Sequence, residues 1–171
     1  MDLTELAKMA VENYIEEGKI ISPAAVAQEV PEKFIKDKSG VFVTIEKDGE
    51  LRGCIGTYLP VYENIAQETI NNAIAAATQD CRFEPVENSE LPFLSYMVYI
   101  ISKPDPVRSM EELDPEKYGV VVKSSGKRGL LLPGLEGVKT IAQQISIACQ
   151  KAGIDPSKEK LLIYKFEVVK Y

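Results

Sequence analysis

The stretch Lys47-Asp48-Gly49-Glu50-Leu51-Arg52-Gly53-Cys54-Ile55-Gly56 decides the fold, because it joins two apolar segments through a two-residue turn. Asp-Gly between alternating segments is the strongest short-range signal for a β-hairpin. The sequence therefore predicts strands over 41–47 and 50–56. The second strand carries an arginine and a cysteine two residues apart.

Arg52 and Cys54 are expected on one face of the second strand, about 7 Å apart, because successive strand residues point to opposite faces. A regular hairpin register places Cys54 opposite Val43 and Arg52 opposite Ile45. An arginine among branched aliphatic residues is costly unless it is paired or exposed, which suggests that this face borders a cleft. A guanidinium beside a thiol favours the thiolate, the form that attacks electrophiles.

Apolar periodicity and turn residues predict the other elements. A second hairpin turns at Ser125-Gly126, and its two-residue turn places Lys123 opposite Arg128. The abundant alanine of the second long helix suggests close packing against a sheet. The predicted helices span 3–17, 64–79 and 137–152, with a short one after Ser22-Pro23, and the remaining strands span 96–102, 119–123, 128–132 and 161–169.

Composition predicts one soluble domain over residues 1–171, without a membrane span or a secretory signal. The chain carries 20 Lys and Arg against 26 Asp and Glu, a net charge of −6. An acidic chain is a poor general binder of nucleic acid, because phosphate neutralisation needs a basic surface. An acidic chain can still carry a local basic patch, so nucleic acid is an unfavoured but not an excluded partner.

The absence of histidine removes Ser-His-Asp and Cys-His mechanisms as well as imidazole metal sites. The three cysteines are odd in number and lack metal-type spacing, which indicates a reducing, cytoplasmic location. No phosphate loop or dinucleotide fingerprint is present, and the sequence indicates no cofactor and no metal.

Cys54 is the thiol with the strongest case for function. Most free cysteines are small buried hydrophobes, and Cys81 and Cys149 are expected to be of that kind or simply exposed. Gly53 and Gly56 flank Cys54, and glycine within a strand often marks a bulge or the close approach of a ligand or of another backbone. We therefore take Cys54 as the candidate catalytic residue and the two glycines as candidate substrate-binding positions.

Three arginines are candidates for an anion pocket: Arg52, Arg82 and Arg128. Each adjoins a glycine or an aromatic residue, and Phe83, next to Arg82, is a further candidate substrate-binding residue. Bidentate guanidinium groups suit carboxylate or phosphate. The alternative is that these are ordinary solvated surface charges. The sequence alone does not show whether the three segments meet.

The order of several motifs resembles the AMMECR family, named for the Alport syndrome, midface hypoplasia and elliptocytosis chromosomal region, whose prokaryotic members are called AmmeMemoRadiSam system protein A. The resemblance covers nearly the whole chain, and the Leu51–Gly56 run is its most specific part. The motifs are Gly40-Val-Phe-Val-Thr44, Leu51-Arg-Gly-Cys-Ile-Gly56, Arg82-Phe83 with Pro85, Arg128-Gly-Leu-Leu-Leu-Pro133 and Tyr164-x-Phe166.

The resemblance implies an α+β fold with an antiparallel sheet flanked by helices and two subdomains. The larger subdomain would hold both the N- and C-terminal regions, and Leu51–Gly56 would lie near a cleft between the lobes. Memo-like and radical-SAM proteins would be partners. Where relatives often carry an acidic residue in the central strand, this chain has Met97.

Two functional hypotheses follow. In the first, the protein is a thiol-dependent group-transfer enzyme in which Cys54 attacks a small anionic substrate. In the second, it is a non-catalytic binding or adaptor module that presents a small anion, a peptide end or an oligonucleotide such as RNA to a Memo-like or radical-SAM partner.

Overall fold

The computed structural model describes all 171 residues as an α+β protein with two compact units. Unit 1 comprises residues 1–101 and 169–171, and unit 2 comprises residues 102–168. The larger unit therefore contains both chain ends, and the predicted fold class is confirmed. No helix combines the length and the apolar character that a membrane span requires.

Unit 1 is built on a four-stranded sheet with strand order β2-β1-β3-β8. Its first helix begins where Asp2 caps the backbone in a capping box with Glu5, and it ends at Gly18 in the left-handed conformation. The helices are α1 (Leu3–Glu17), α2 (Glu32–Lys36) and α3 (Ile65–Thr78), and the strands are β1 (Gly40–Lys47), β2 (Glu50–Gly56), β3 (Leu94–Ile101) and β8 (Val168–Lys170), with 3₁₀ turns at Pro23–Val26 and Asn88–Phe93.

One face of this sheet forms the core of unit 1. Val41, Val43 and Ile45 of β1 are fully buried and belong to one apolar cluster with the inner faces of α1 and α3. Because side chains alternate along a strand, Thr44 between them points to the opposite face. The pairing of β2 with β1 then decides which of its residues share that outer face.

The β1–β2 register differs from the predicted one. Cys54 pairs with Thr44 rather than with Val43, and Ile45 pairs with Gly53. Glu46 pairs with Leu51, so Arg52 is the extra residue of a β-bulge. A bulge inserts one unpaired residue and changes the side-chain phase of the strand beyond it. Cys54 therefore lies with Thr44 on the outer face, and the predicted placement among the core aliphatics is wrong.

Gly53 faces inward against the backbone of α3. A Cβ atom at this position would collide with the carbonyl oxygen of Ala76. Ala66, Ile70, Ala73 and Ala77 are also buried, which confirms the close packing that the alanine-rich helix predicted. The glycine thus permits contact between the backbones of the strand and the helix. This contact determines which residues of β2 point towards α3.

Unit 2 repeats the arrangement of a hairpin followed by a helix. Its sheet has the order β4-β7-β5-β6, and the predicted pair of Lys123 with Arg128 is confirmed. Gly129 lies against the carbonyl of Ala148 as Gly53 lies against that of Ala76. The elements are β4 (Asp105–Pro106), a 3₁₀ turn (Met110–Glu112), β5 (Gly119–Ser124), β6 (Lys127–Leu131), α4 (Ile141–Ala152) and β7 (Leu162–Phe166).

Two predicted element boundaries are wrong. The last helix begins at Ile141 instead of residue 137, because Thr140 forms a capping box with Gln143. The strand predicted over 161–169 is two strands that belong to different sheets and are interrupted at Glu167. Glu167 instead exchanges hydrogen bonds with Ser102, whose hydroxyl accepts from its N–H at 2.8 Å.

Replacing Gly53 by alanine is expected to destabilise the protein by about 3 kcal/mol, because the added methyl group must displace a helix backbone. Gly49→Ala in the same hairpin is the matched control. Nothing lies near its Cβ position, and its cost is the left-handed φ of 83° alone, about 1 kcal/mol. Urea denaturation of both variants measures the difference, and equal losses would contradict the close contact.

Candidate thiol site

Cys54 lies half-buried on the outer face of the unit 1 sheet. The hydroxyl of Thr44 donates to its sulfur at 3.3 Å. Met97 pairs with Thr44 on the other side of β1, and the Tyr99 hydroxyl lies 3.6 Å from the Met97 sulfur. The thiol thus has one polar neighbour that can orient it and a surrounding surface of mixed character.

Asp80 links the backbone of Cys54 to Arg82. Its Oδ2 accepts the Cys54 N–H at 2.9 Å and Arg82 Nη2 at 2.6 Å, while Oδ1 accepts Arg82 Nε at 2.9 Å. The residue is only 8% exposed. The hydrogen bonds from Arg82, with that from the Cys54 N–H, hold the pKa of Asp80 well below its usual range. Asp80 is therefore a fixed anion near neutral pH and not a general base.

Arg82 retains donors for a ligand. Its side chain is 52% exposed, and the fork to Asp80 uses Nε and Nη2 but leaves Nη1 without a protein partner. Its pKa is raised chiefly by the hydrogen bonds to Asp80, against the opposing effect of burial. The guanidinium carbon lies 5.4 Å from the Phe83 ring centroid. This arrangement holds a cation at the carboxylate that also accepts the Cys54 N–H.

Arg52, by contrast, is used by the protein itself. Its side chain is 15% exposed and forms a fork with Glu90 at 3.0 and 2.8 Å. Nη1 donates to the Glu84 carbonyl at 2.9 Å, and Nη2 also lies 3.4 Å from the Pro85 carbonyl. Arg52 thus ties the segment after α3 to the bulge of β2. Its predicted role in binding substrate stays a prediction, and the geometry gives it a structural one.

The glycines and the third arginine occupy different surroundings. Gly53 serves the helix contact, and a Cβ at Gly56 would collide with the Phe42 ring and the Val41 carbonyl. Arg128 belongs to unit 2, whereas Arg52 and Arg82 belong to unit 1. The shared pocket of three arginines, the cleft between lobes and the binding roles of Gly53, Gly56 and Phe83 stay predictions.

The other two cysteines differ from Cys54 in exposure. Cys81 is exposed, whereas Cys149 is 1% exposed within the unit 2 core. Burial raises the pKa of the Cys149 thiol, which makes it less reactive. Cys149 is therefore a packing residue, as its place beside a helical apolar stripe suggested.

Sequence reasoning missed the acidic partners of both arginines. Asp80 stands two residues before Arg82 and directly after a helix, a spacing that does allow a local ion pair. Glu90 lies 38 residues from Arg52, so no local signal connects them. Thr44 was missed because its pairing with Cys54 depends on the bulge.

Glu68 is a further polar residue without a sequence signal. It is fully buried, yet its carboxylate accepts the N–H groups of Val61 and Tyr62 at 2.9 and 2.8 Å, and the Thr57 hydroxyl also donates to it. These bonds fix the loop that follows β2.

The fold and this site define a two-unit α+β protein that presents a half-exposed thiol beside a carboxylate-held arginine. Residues 4–171 match the sequence model of the AMMECR1 family. The chain therefore belongs to the AMMECR1 family.

Two relatives show how far this similarity extends. A Thermotoga maritima protein is 52% identical over 162 residues, which cover 94% of this chain and 91% of that protein. A Clostridium acetobutylicum protein is 44% identical over 98% of this chain, but the match covers only 35% of its own length. The chain thus corresponds to about a third of that longer relative.

A solved structure supports the same assignment. The crystal structure of the uncharacterized protein PH0010 from Pyrococcus horikoshii matches with a TM-score of 0.88 at 31% identity. The match covers 98% of this chain and 88% of that one. The names of these relatives assign no activity.

The Arg52–Glu90 pair predicts a loss of stability in acid. Hydrogen bonds from Arg52, the Glu87 N–H and Lys47 lower the pKa of Glu90 from 4.5 to about 2, against the opposing effect of burial. A depressed folded-state pKa gives stability that is present above pH 4.5 and lost as the pH falls towards 2. Glu90→Gln is expected to lower the free energy of unfolding at pH 7 by about 2 kcal/mol and to flatten its pH dependence in this window.

Glu84→Gln is the control, because Arg52 contacts only the main-chain carbonyl of Glu84. Urea titrations at several pH values between 2 and 7 measure the effect. Parallel pH profiles for wild type and Glu90→Gln would show that the pair does not carry this dependence.

Proposed function

We propose that the protein is a thiol-dependent group-transfer enzyme in which Cys54 is the nucleophile and Arg82 holds an anionic group of the substrate. The observation that carries the proposal is the shared carboxylate of Asp80. One of its oxygens accepts both the Cys54 N–H and an Arg82 N–H, so the thiol-bearing strand and the guanidinium are fixed to one anchor. Arg82 still has an unused donor edge for a carboxylate or phosphate.

The proposed group transfer involves no change of oxidation state and therefore needs no external oxidant or reductant. The Cys54 thiolate attacks the carbonyl carbon of an acyl donor, a carbon–sulfur bond forms, and the leaving group departs with its bonding electrons. An acceptor nucleophile that has lost its proton to water then attacks the thioester carbon. The carbon–sulfur bond breaks and the thiolate returns. Without histidine, positive charge near the thiol must support the thiolate.

Asp80 and Arg52 are positioning residues in this scheme. Asp80 holds the guanidinium of Arg82 and the backbone of Cys54, because its carboxylate accepts hydrogen bonds from both. Arg52 holds the segment that contains both Asp80 and Arg82 against the edge of β2 through the Glu84 and Pro85 carbonyls. We place this activity in the cytoplasm, where a free thiol stays reduced.

Paired alkylating reagents test the anion preference of the thiol. Iodoacetate is an anion and iodoacetamide is its neutral analogue, so the ratio of their rates at Cys54 reports local positive charge. Mass spectrometry resolves each cysteine separately. We expect Arg82→Gln to lower that ratio about tenfold, since the loss of one close charge is worth about 1 kcal/mol or more. Arg52→Gln should leave the ratio near that of wild type once circular dichroism confirms folding.

Activity in the intact partner system tests the chemistry. Loss of activity in both Cys54→Ala and Cys54→Ser, with full activity in Cys81→Ser, supports nucleophilic catalysis. Full activity in Cys54→Ala would overturn the enzyme proposal.

A binding or adaptor module is the second candidate. Two observations favour it. The hydrogen bond to the Cys54 sulfur comes from Thr44, which is not a base, and one relative carries a matching region as about a third of a longer protein. The site would then hold an anion or RNA and present it to Memo-like and radical-SAM partners. In this case Cys54→Ser keeps function, whereas Arg82→Glu abolishes it.

A further inference from the structure

The two units differ in charge, which the net charge of the whole chain conceals. Unit 1 carries nine Lys and Arg against 17 Asp and Glu, a net charge of −8. Unit 2 carries 11 against nine, a net charge of +2. The argument from an acidic composition against phosphate ligands therefore applies to unit 1 and not to unit 2.

Four of the 11 Lys and Arg residues of unit 2 line one cavity of about 600 Å³ beside the β5–β6 turn. This volume is in the range of small-ligand pockets. The lining contains no acidic residue. Its members are Lys123, Ser124, Ser125, Gly126, Lys127, Arg128, Lys160 and Leu162.

The strand register places three of the side chains that line the cavity in one row. Lys123 pairs with Arg128 on one side and with Leu162 on the other, so these side chains form a row across three strands. Like charges directly opposite each other destabilise an antiparallel pair. An anion that binds beside this row would lie next to both the Lys123 ammonium and the Arg128 guanidinium.

The other two cations frame this row. The Lys127 ammonium is held by the Gly153 carbonyl at 2.9 Å and by Glu159 at 2.8 Å. The hydrogen bond from Lys127 lowers the pKa of Glu159, which keeps that partner charged. Lys160 is exposed and takes part in no salt bridge. One cation is therefore fixed and another is available.

The cavity also offers an apolar surface next to its charges. Leu162 is 53% exposed and pairs with the half-buried Lys123 of the neighbouring strand. The Lys123 ammonium lies 4.7 Å from the centroid of the Tyr164 ring, one strand position further along the same face. A ligand that joins phosphate to a flat apolar group fits both features, whereas inorganic phosphate fits only the cations.

We propose that the cavity of unit 2 binds a nucleotide, with its phosphates on Lys123, Arg128 and Lys160 and its base against Leu162. A free nucleotide and the end of an RNA strand share this chemistry. The proposal needs neither the thiol nor Arg82. A nucleotide bound at this site would be a ligand additional to the substrate of Cys54.

Isothermal titration with ATP, pyrophosphate and a single-stranded octauridylate tests the site. Lys160→Glu is the first variant, because an exposed residue without a salt bridge can change without loss of fold. Lys151→Glu is its control, with the same charge change on the same unit at an exposed position outside the cavity. We expect the Kd for ATP to rise about tenfold in Lys160→Glu and to change less than about twofold in Lys151→Glu.

Arg128→Gln and Leu162→Ser separate the two parts of the ligand. Arg128→Gln should weaken ATP and pyrophosphate alike, whereas Leu162→Ser should weaken ATP and leave pyrophosphate unchanged. Equal affinity of the wild type for ATP and pyrophosphate, equal effects of Lys160→Glu and Lys151→Glu, or no ATP binding up to about 1 mM would each overturn the proposal.

The comparison of octauridylate with ATP identifies the source of the nucleotide. Tighter binding of octauridylate than of ATP, with a salt slope that falls in Arg128→Gln, supports an RNA end. Tighter binding of ATP supports a free nucleotide. ATP binding should persist in Cys54→Ala and Arg82→Gln, so failure of the thiol proposal leaves this result intact, and the reverse also holds.

Discussion

The contact between Gly53 and the Ala76 carbonyl is the constraint on which the thiol site depends. It brings the backbone of an edge strand against the backbone of a helix, which no other residue type at position 53 permits without displacement. Since Gly53 points inward, the next residue along the strand points outward, and that residue is Cys54. The same contact brings the end of α3 close enough for Asp80 to accept the Cys54 N–H.

Unit 2 contains the same contact between a strand glycine and a helix carbonyl, but the arginine before its glycine has different surroundings. Gly129 meets the Ala148 carbonyl, and its neighbour Arg128 therefore points outward beside Lys123. Both hairpins contain the pattern Lys-x-x-x-x-Arg-Gly, at residues 47–53 and 123–129. In each hairpin the glycine of this pattern packs on a helix. The arginines diverge because Arg52 lies in a bulge and meets Glu90, whereas Arg128 lies in a regular ladder and lines a cavity.

Local signals explain what the sequence could predict. Asp48-Gly49 and Ser125-Gly126 fix both hairpins, and all four turn residues have the positive φ that such turns need. Gly53 is a local signal for a bulge, but it does not give the position of the extra residue, and Glu90, the ion-pair partner of Arg52, lies 38 positions away. The single extra residue reversed the facing of Cys54, since a shift of one position moves every side chain to the other face. The arginine motif was identifiable, but its partners were not.

The comparison of Arg52 with Arg82 also explains how an acidic unit can offer a cationic site. Each arginine has one dedicated carboxylate, so neither is an uncompensated charge. Arg52 also donates to two main-chain carbonyls and is therefore part of the scaffold. Arg82 keeps one edge of its guanidinium open at the surface, and the buried Asp80 fixes the direction of that edge. The carboxylate therefore orients the cation, and the guanidinium edge that faces away from Asp80 keeps the donor geometry that suits carboxylate or phosphate.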